Sequence, residues 1–356
     1  MLNRLRRSGS LSDWPRPARV AALLLVSGVM VGLMVAVRLP AVFLLGPLVA
    51  AIWLATRGIG LSVPRKGFVA AQGVVGMMIA GNMPAEIFAE LAADWPAFLF
   101  GTLSILAVSG LLGWLIQRRG VLPGSTAVWG IAPGAASAMV IMSEDYQADM
   151  RLVAFMQYLR MVCCAFSAAL LALLIGEPGG TPAVSAPAPL WQGVGSVGIG
   201  VGLALLGVRL RLPGGGMLLP LLTGLGLSLG GVWHIALPAP VLAASYAVIG
   251  WTVGLRFTGE VLRHAARAFP IVLAAIAALL LASGLVAWGL VVMLEVDPLT
   301  AWLAALPGGA DSIAIIASST QVDLPFVMAM QVGRFLAVLA FGPLMARALA
   351  RRGVSR

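Results

Sequence analysis

The run APGAASAMVIMSEDYQADMRLVAFMQYLR at 132–160 lies over LPGGADSIAIIASSTQVDLPFVMAMQVGR at 306–334 without a gap. Pro133 meets Pro307, Gly134 meets Gly308, Asp149 meets Asp323, Gln157 meets Gln331 and Arg160 meets Arg334. A chance match would favour the abundant alanine, leucine and glycine. Here the scarce residues match, so the chain reads as two diverged copies of one unit. Weaker echoes stand elsewhere: Pro40 and Pro47 against Pro213 and Pro220, and Trp95–Pro96 against Phe269–Pro270. The turn-rich stretch 176–188 separates the copies. The expected organisation is a basic arm over 1–19, a first repeat over 20–175, the linker 176–188, a second repeat over 189–349 and a tail over 350–356.

Hydrophobic residues make up 60% of the chain and charged residues 10%, against about 25% charge in a soluble domain. Twelve apolar segments can be marked. Many are continuous rather than alternating and reach the roughly 20 residues that a spanning helix needs, which excludes a barrel. The fold class is therefore all-α, a polytopic integral membrane protein. Segments 40–56, 68–83 and 241–255 are short for a span, and 121–142 and 299–319 carry a proline-glycine break. The first apolar run, closed by Arg38 and Pro40, reads as a retained span behind a cytoplasmic basic arm rather than a cleaved signal.

The net charge of +10 does not point to nucleic acid, because the basic residues sit in linkers and no zinc-finger spacing or basic helix is present. Adjacent Cys163 and Cys164 cannot pair with each other in ordinary disulfide geometry. His234 and His264, in separate linkers, make no metal site. Nothing calls for a catalytic residue, a metal or a cofactor, so an enzyme is not expected.

The basic residues decide topology. If all twelve segments cross, lysine and arginine divide 14 inside to 7 outside, with Arg160 and Arg334 within spans. If 121–142 and 299–319 enter and leave on one side, 20 lie inside and only Arg38 outside, the better fit to the positive-inside rule. Each half then crosses an odd number of times and the second copy is inverted. About ten spans plus two re-entrant segments result, an architecture common among secondary transporters. Both termini are expected in the cytoplasm.

Arg160 and Arg334 lie eleven residues beyond Asp149 and Asp323, about 16 Å along a helix and so near the middle of a hydrocarbon core about 30 Å thick. A buried guanidinium is costly and needs a partner or a water-filled cavity. Gln157 and Gln331 share its helical face. Such a pair suits a carboxylate or phosphate; a structural ion pair or a cap on backbone carbonyls is the alternative. The breaks at Pro133, Gly134, Pro307, Gly308 and Gly309 would start half-helices whose free amides face the membrane midplane, with Ser137, Asp311 and Ser312 at the first turn; a kinked helix in tight packing is the alternative there. Asp311 has no acidic counterpart. It either pairs with Arg160 or Arg334 or carries a proton during transport, and the two roles conflict.

Asp149 and Asp323 read as helix N-terminal carboxylates. Glu86, Glu90 and Asp94 form a solvated acidic face, and Trp95, Trp191 and Trp233 look like interface anchors. The glycines at 195–202 and 224–230 serve helix packing.

LLGPL at 44–48, the APGAASAM…Q..R run at 132–160 and LPGG.D.IAIIA…D…V..MQ..R at 306–334 resemble the AbrB-type membrane protein family over about 18–349. That family is often labelled an ammonia monooxygenase or an AbrB regulator. The resemblance implies a bacterial inner-membrane protein with a duplicated domain, in some cases linked by name to regulation of gene expression. A monooxygenase would need a histidine or carboxylate cluster, and direct regulation would need a DNA-reading element; the residues supply neither. The expected function is a secondary transporter of a small anionic organic solute, with a coupling proton or cation left open. Lipid is the expected partner, nucleic acid is not, and a homo-oligomer is left open. The alternative is a sensor or scaffold that moves nothing.

Overall fold

The computed structural model describes residues 11–85, 92–132, 139, 143, 148–175, 189–212 and 214–337. Pro133, Gly134, Ser137, Glu86, Glu90, the 176–188 linker, the start of the basic arm and the C-terminal tail lie outside the described residues. The elements are α1 (Arg16–Ala36), α2 (Val42–Thr56), α3 (Arg65–Gly81), α4 (Trp95–Arg118), α5 (Thr126–Ile131) and α6 (Met150–Ile175) in the first half. The second half holds α7 (Leu190–Arg209), α8 (Gly215–Leu229), α9 (Ala239–Gly254), α10 (Gly259–Ala265), α11 (Phe269–Leu294), α12 (Pro298–Ala305), α13 (Ala310–Ala317) and α14 (Leu324–Ala337). Apart from a short 3-10 turn at Leu11–Asp13, all are α-helices.

Five of them, α1, α4, α6, α7 and α11, are long and apolar enough to cross a membrane, and α9 with α10 makes a sixth if that pair, bent by 49°, is one span. Their outward faces agree. On α11, Leu281, Leu285 and Trp288 are 74, 71 and 69% exposed, one greasy stripe at helical spacing that water would not tolerate. The chain is a helical membrane protein.

Two groups of helices pack together. In one, α2 lies along α9 and α3 along α8, with α1 and α7 beside them. Contact there is backbone to backbone: a Cβ on Gly250 would stand 2.5 Å from the Leu44 carbonyl oxygen, and one on Gly73 would stand 2.4 Å from that of Gly200. Small residues of this kind let spans approach where lipid offers no hydrophobic drive. The glycine run near 200 thus packs helices, as expected. The Trp251 indole donates to Ser27 Oγ at 2.9 Å, tying α9 to α1.

In the other group α4 packs on α5 and α11, α11 on α12, and α5 on α6. The short helix α13 bridges the groups, touching α6 and α3. Trp95 and Trp191 are well exposed at helix starts, as anchors should be. Trp233 is half-buried instead, stacked edge-on against Trp191 and bonded to Ser196 Oγ at 3.0 Å, so it holds a turn in place.

The sequence predicts a break inside 299–319, and the chain there forms two short helices, α12 and α13, separated by Leu306–Gly309. Within 121–142, α5 ends at Ile131. The cause is local. Ala132 and Leu306 each precede a proline, whose ring disfavours the helical conformation one residue upstream. Both take extended angles, φ −52 ψ 124 and φ −61 ψ 127. Each half-helix therefore stops with carbonyl oxygens that have no next turn to bond.

Candidate functional site

Those free carbonyls are where the glutamine and arginine side chains go. From the middle of α6, Gln157 Nε2 donates to the carbonyls of Trp129 at 2.9 Å and Ala132 at 3.0 Å. Arg160 Nη1 donates to Ile131 and Ala132, both at 3.0 Å, and Nη2 to Gln157 Oε1 at 2.9 Å. On α14 the arrangement recurs. Gln331 Nε2 donates to Leu303 at 2.7 Å and Leu306 at 3.1 Å, Arg334 Nη1 to Ala305 at 3.5 Å, and Arg334 Nη2 bonds Gln331 Oε1. The sequence separations are the same in both sets, 28, 25 and 29 residues. A cation at a helix C-terminus also meets the negative end of the helix dipole.

Both arginines are buried, at 3% and 7% exposure. Among the described residues neither has a carboxylate within 4 Å; the ion pairs there are Arg151–Glu260 and His264–Asp149. Arg160 uses three N–H groups in the bonds named, out of the five a guanidinium has. Its Nε–H has no partner among the described residues. Arg160 also lines a small cavity of about 10 Å³, the room that about one water needs.

Asp311 stands in the first turn of α13, buried, with Oδ1 accepting from the Ser312 amide at 2.9 Å and the Gln72 side chain of α3 beside it. The expected pairing with Arg160 or Arg334 is not formed among the described residues. Gly308 and Gly309 give α13 its close approach to α6, since a Cβ on Gly308 would sit 3.3 Å from Cys164 Cβ and one on Gly309 would sit 2.6 Å from Met161 Cε. Asp311 and Ser312 follow on that turn, while Pro133, Gly134 and Ser137 lie outside the described residues.

At the start of α6 the Asp149 amide donates to Thr126 Oγ1 at 2.9 Å, and the Asp323 amide to Thr300 Oγ1 at 3.1 Å. Asp149 Oδ1 accepts from the Arg151 and Leu152 amides at 3.0 and 3.1 Å, and Asp323 Oδ1 from Phe326 at 2.9 Å. Both are N-terminal carboxylates, as their positions predict. Asp149 has a further partner, His264 Nε2 at 2.6 Å. Burial raises the Asp149 pKa, but the His264 contact and the two amides outweigh it and hold the carboxyl below its ordinary value.

The threonines escaped the sequence reading, although Thr126 and Thr300 extend the matched runs in register. Gln72, Tyr246 and Ser318 were also missed. Tyr246 bonds Met78 Sδ at 3.0 Å and meets Ser318 Oγ at 3.4 Å, joining α9, α3 and the end of α13. No spacing signal marks that cluster, since its members come from distant segments.

Buried cations holding the ends of half-helices inside a greasy bundle define a polytopic membrane protein built on broken helices. The matches with known proteins make the family specific. Residues 43–350 match the family described as transition state regulatory protein AbrB. A provisionally named regulator AbrB of Escherichia coli (strain K12) is 42% identical over 321 residues, covering 88% of this chain and 91% of the relative. The chain belongs to the AbrB family. No solved structure matches it.

Proposed function

We propose that the protein is a secondary transporter of a small anionic organic solute, not an enzyme, and that Arg160 and Arg334 with their glutamines attract the anion. One observation carries this reading: two guanidinium groups are buried with no carboxylate on either among the described residues. Buried charges without a counter-charge are costly in a low-dielectric interior. An anion taken up beside either guanidinium relieves that cost, which makes the interior selective for negative solutes.

The same reading takes the halves as diverged, inverted copies, with about ten spans, two re-entrant segments and both termini in the cytoplasm of a bacterial inner membrane. It draws support from the matched helix order, α1 to α3 followed by α7 to α9, and from the recurring carbonyl caps. Single cysteines at Gln147 and Gln321, in a background with Cys163 and Cys164 replaced by alanine, should label from opposite sides, Gln147 from the cytoplasm. Labelling of both from one side ends the inverted arrangement.

Ligand-dependent thermal stability of the detergent-solubilised full chain tests the anion. Small carboxylates, sulfonates or phosphates should raise the melting temperature of the parent. Arg160→Lys keeps the charge but loses the planar fork, so it should remain folded and respond less. Failure of every anion to stabilise the parent would leave the second reading, a sensor or scaffold that moves nothing. That reading is favoured by the carbonyl caps and the Gln157 bond, which together occupy three of the Arg160 N–H donors. The name of the Escherichia coli relative speaks of regulation; under either reading such an effect is indirect, through what the protein moves or senses.

A further inference from the structure

We infer that the Arg160 side of the site takes a monoanion with an aliphatic body, such as a short-chain monocarboxylate, in preference to a polyanion. The inference rests on the anion reading above and narrows it. The cavity beside Arg160 runs between Met156 of α6 and a stripe on α11 formed by Val272, Ala275, Ile276 and Leu279. The end of α5, at Gly130 and Ile131, closes it. Among the described residues Arg160 is therefore the one charged side chain on this wall, and the others are hydrocarbon or glycine.

Arg160 itself is 3% exposed, and its Nε–H is without a partner among the described residues. The donor capacity left over matches one carboxylate and no more. A second negative charge on the ligand would face the apolar α11 stripe, with no second cation among the described lining residues to receive it, and its desolvation would go uncompensated. An alkyl chain would gain by contact with Ala275, Ile276 and Leu279 instead. At about 10 Å³ the cavity admits one oxygen-sized group, so the ligand body fits only when the α11 wall moves back. Ala275, the smallest side chain of that stripe, is where a larger residue would fill the space.

The test uses the full chain in detergent and a series of sodium salts: acetate, butyrate and hexanoate against succinate and phosphate. Apparent affinity from thermal shifts should rise from acetate to hexanoate, at most about fourfold for each methylene that reaches the wall. Succinate and phosphate should bind more weakly than butyrate. Ala275→Val and Ala275→Phe should flatten the chain-length series, the milder change guarding against a misfolded larger one, while Arg160→Lys should lower all affinities. Arg160-dependent stabilisation by succinate or phosphate with none by hexanoate overturns this inference and leaves the anion reading standing. A chain-length series unchanged by Arg160→Lys reports micelle partitioning and also overturns it. If no salt stabilises the parent, both fall.

Discussion

Replacing Gln157 by leucine keeps the shape of the side chain and removes three buried hydrogen bonds. The consequences differ by partner. The Ala132 carbonyl keeps Arg160 Nη1 at 3.0 Å, so of the two carbonyls only that of Trp129 loses its side-chain donor. Arg160 loses the acceptor for Nη2. In Gln331→Leu both Leu303 and Leu306 lose their donor, because Arg334 reaches only Ala305, at 3.5 Å. An orphaned buried carbonyl costs about 1–3 kcal/mol and a bond to a charged group is worth about 1.5–3 kcal/mol in water-based measurements, although within membranes such bonds average only about 0.6 kcal/mol. Gln157→Leu should therefore destabilise by about 1–6 kcal/mol between those limits. Gln331→Leu, with one more orphan, should cost about 0.6–3 kcal/mol beyond that. Unfolding by SDS in mixed micelles, read by the midpoint at constant slope, measures both. Equal losses, or a larger loss at Gln157, would refute the account of the caps.

Gly250→Ala should destabilise by about 1–3 kcal/mol, since its Cβ would press on the Leu44 backbone, whereas Gly28→Ala, with nothing within 4 Å, should be neutral or better in the same assay. Equal effects would show that close approach is not the reason for Gly250. The depressed Asp149 pKa sets a pH window: its stabilisation is present above the ordinary value of 3.8 and is lost as pH falls through the lower folded value. Removing the contact in His264→Ala should shrink that acid-side loss, and identical pH profiles for parent and variant would remove the histidine from the account. Arg160→Met and Asp311→Asn should be additive within about 0.5 kcal/mol, because the two side chains are not paired; rescue of the first by the second would show a coupling that the geometry lacks.

Helical class and membrane character were legible from continuous apolar runs and the scarcity of charge. The breaks were legible for a stereochemical reason, because proline acts on the residue before it whatever surrounds the segment. What the arginines touch was not. A guanidinium in a membrane needs oxygen atoms, and sequence reasoning weighs side-chain acids such as Asp311 more readily than backbone carbonyls, which every residue carries and none advertises. The decisive clue lay in the spacing between Gln157 and Ala132, visible only once the helix is known to end there. The Tyr246 cluster, joining three distant segments, had no local signature at all.

Because Arg160 completes the end of α5 from the neighbouring helix, its charge has two claimants. Backbone oxygens of Ile131 and Ala132 hold its Nη1 now, and a carboxylate bound to the donors left over would pull the same guanidinium away from them. Whatever the newcomer gains in contact, the end of the half-helix loses in support. Occupancy and the fraying of that end are then thermodynamically linked, each shifting the other by the same free energy. A bound ion would act as a solvent for the helix end, loosening the segment that confines it. Arg334, whose hold on Ala305 is the longer at 3.5 Å, would yield first.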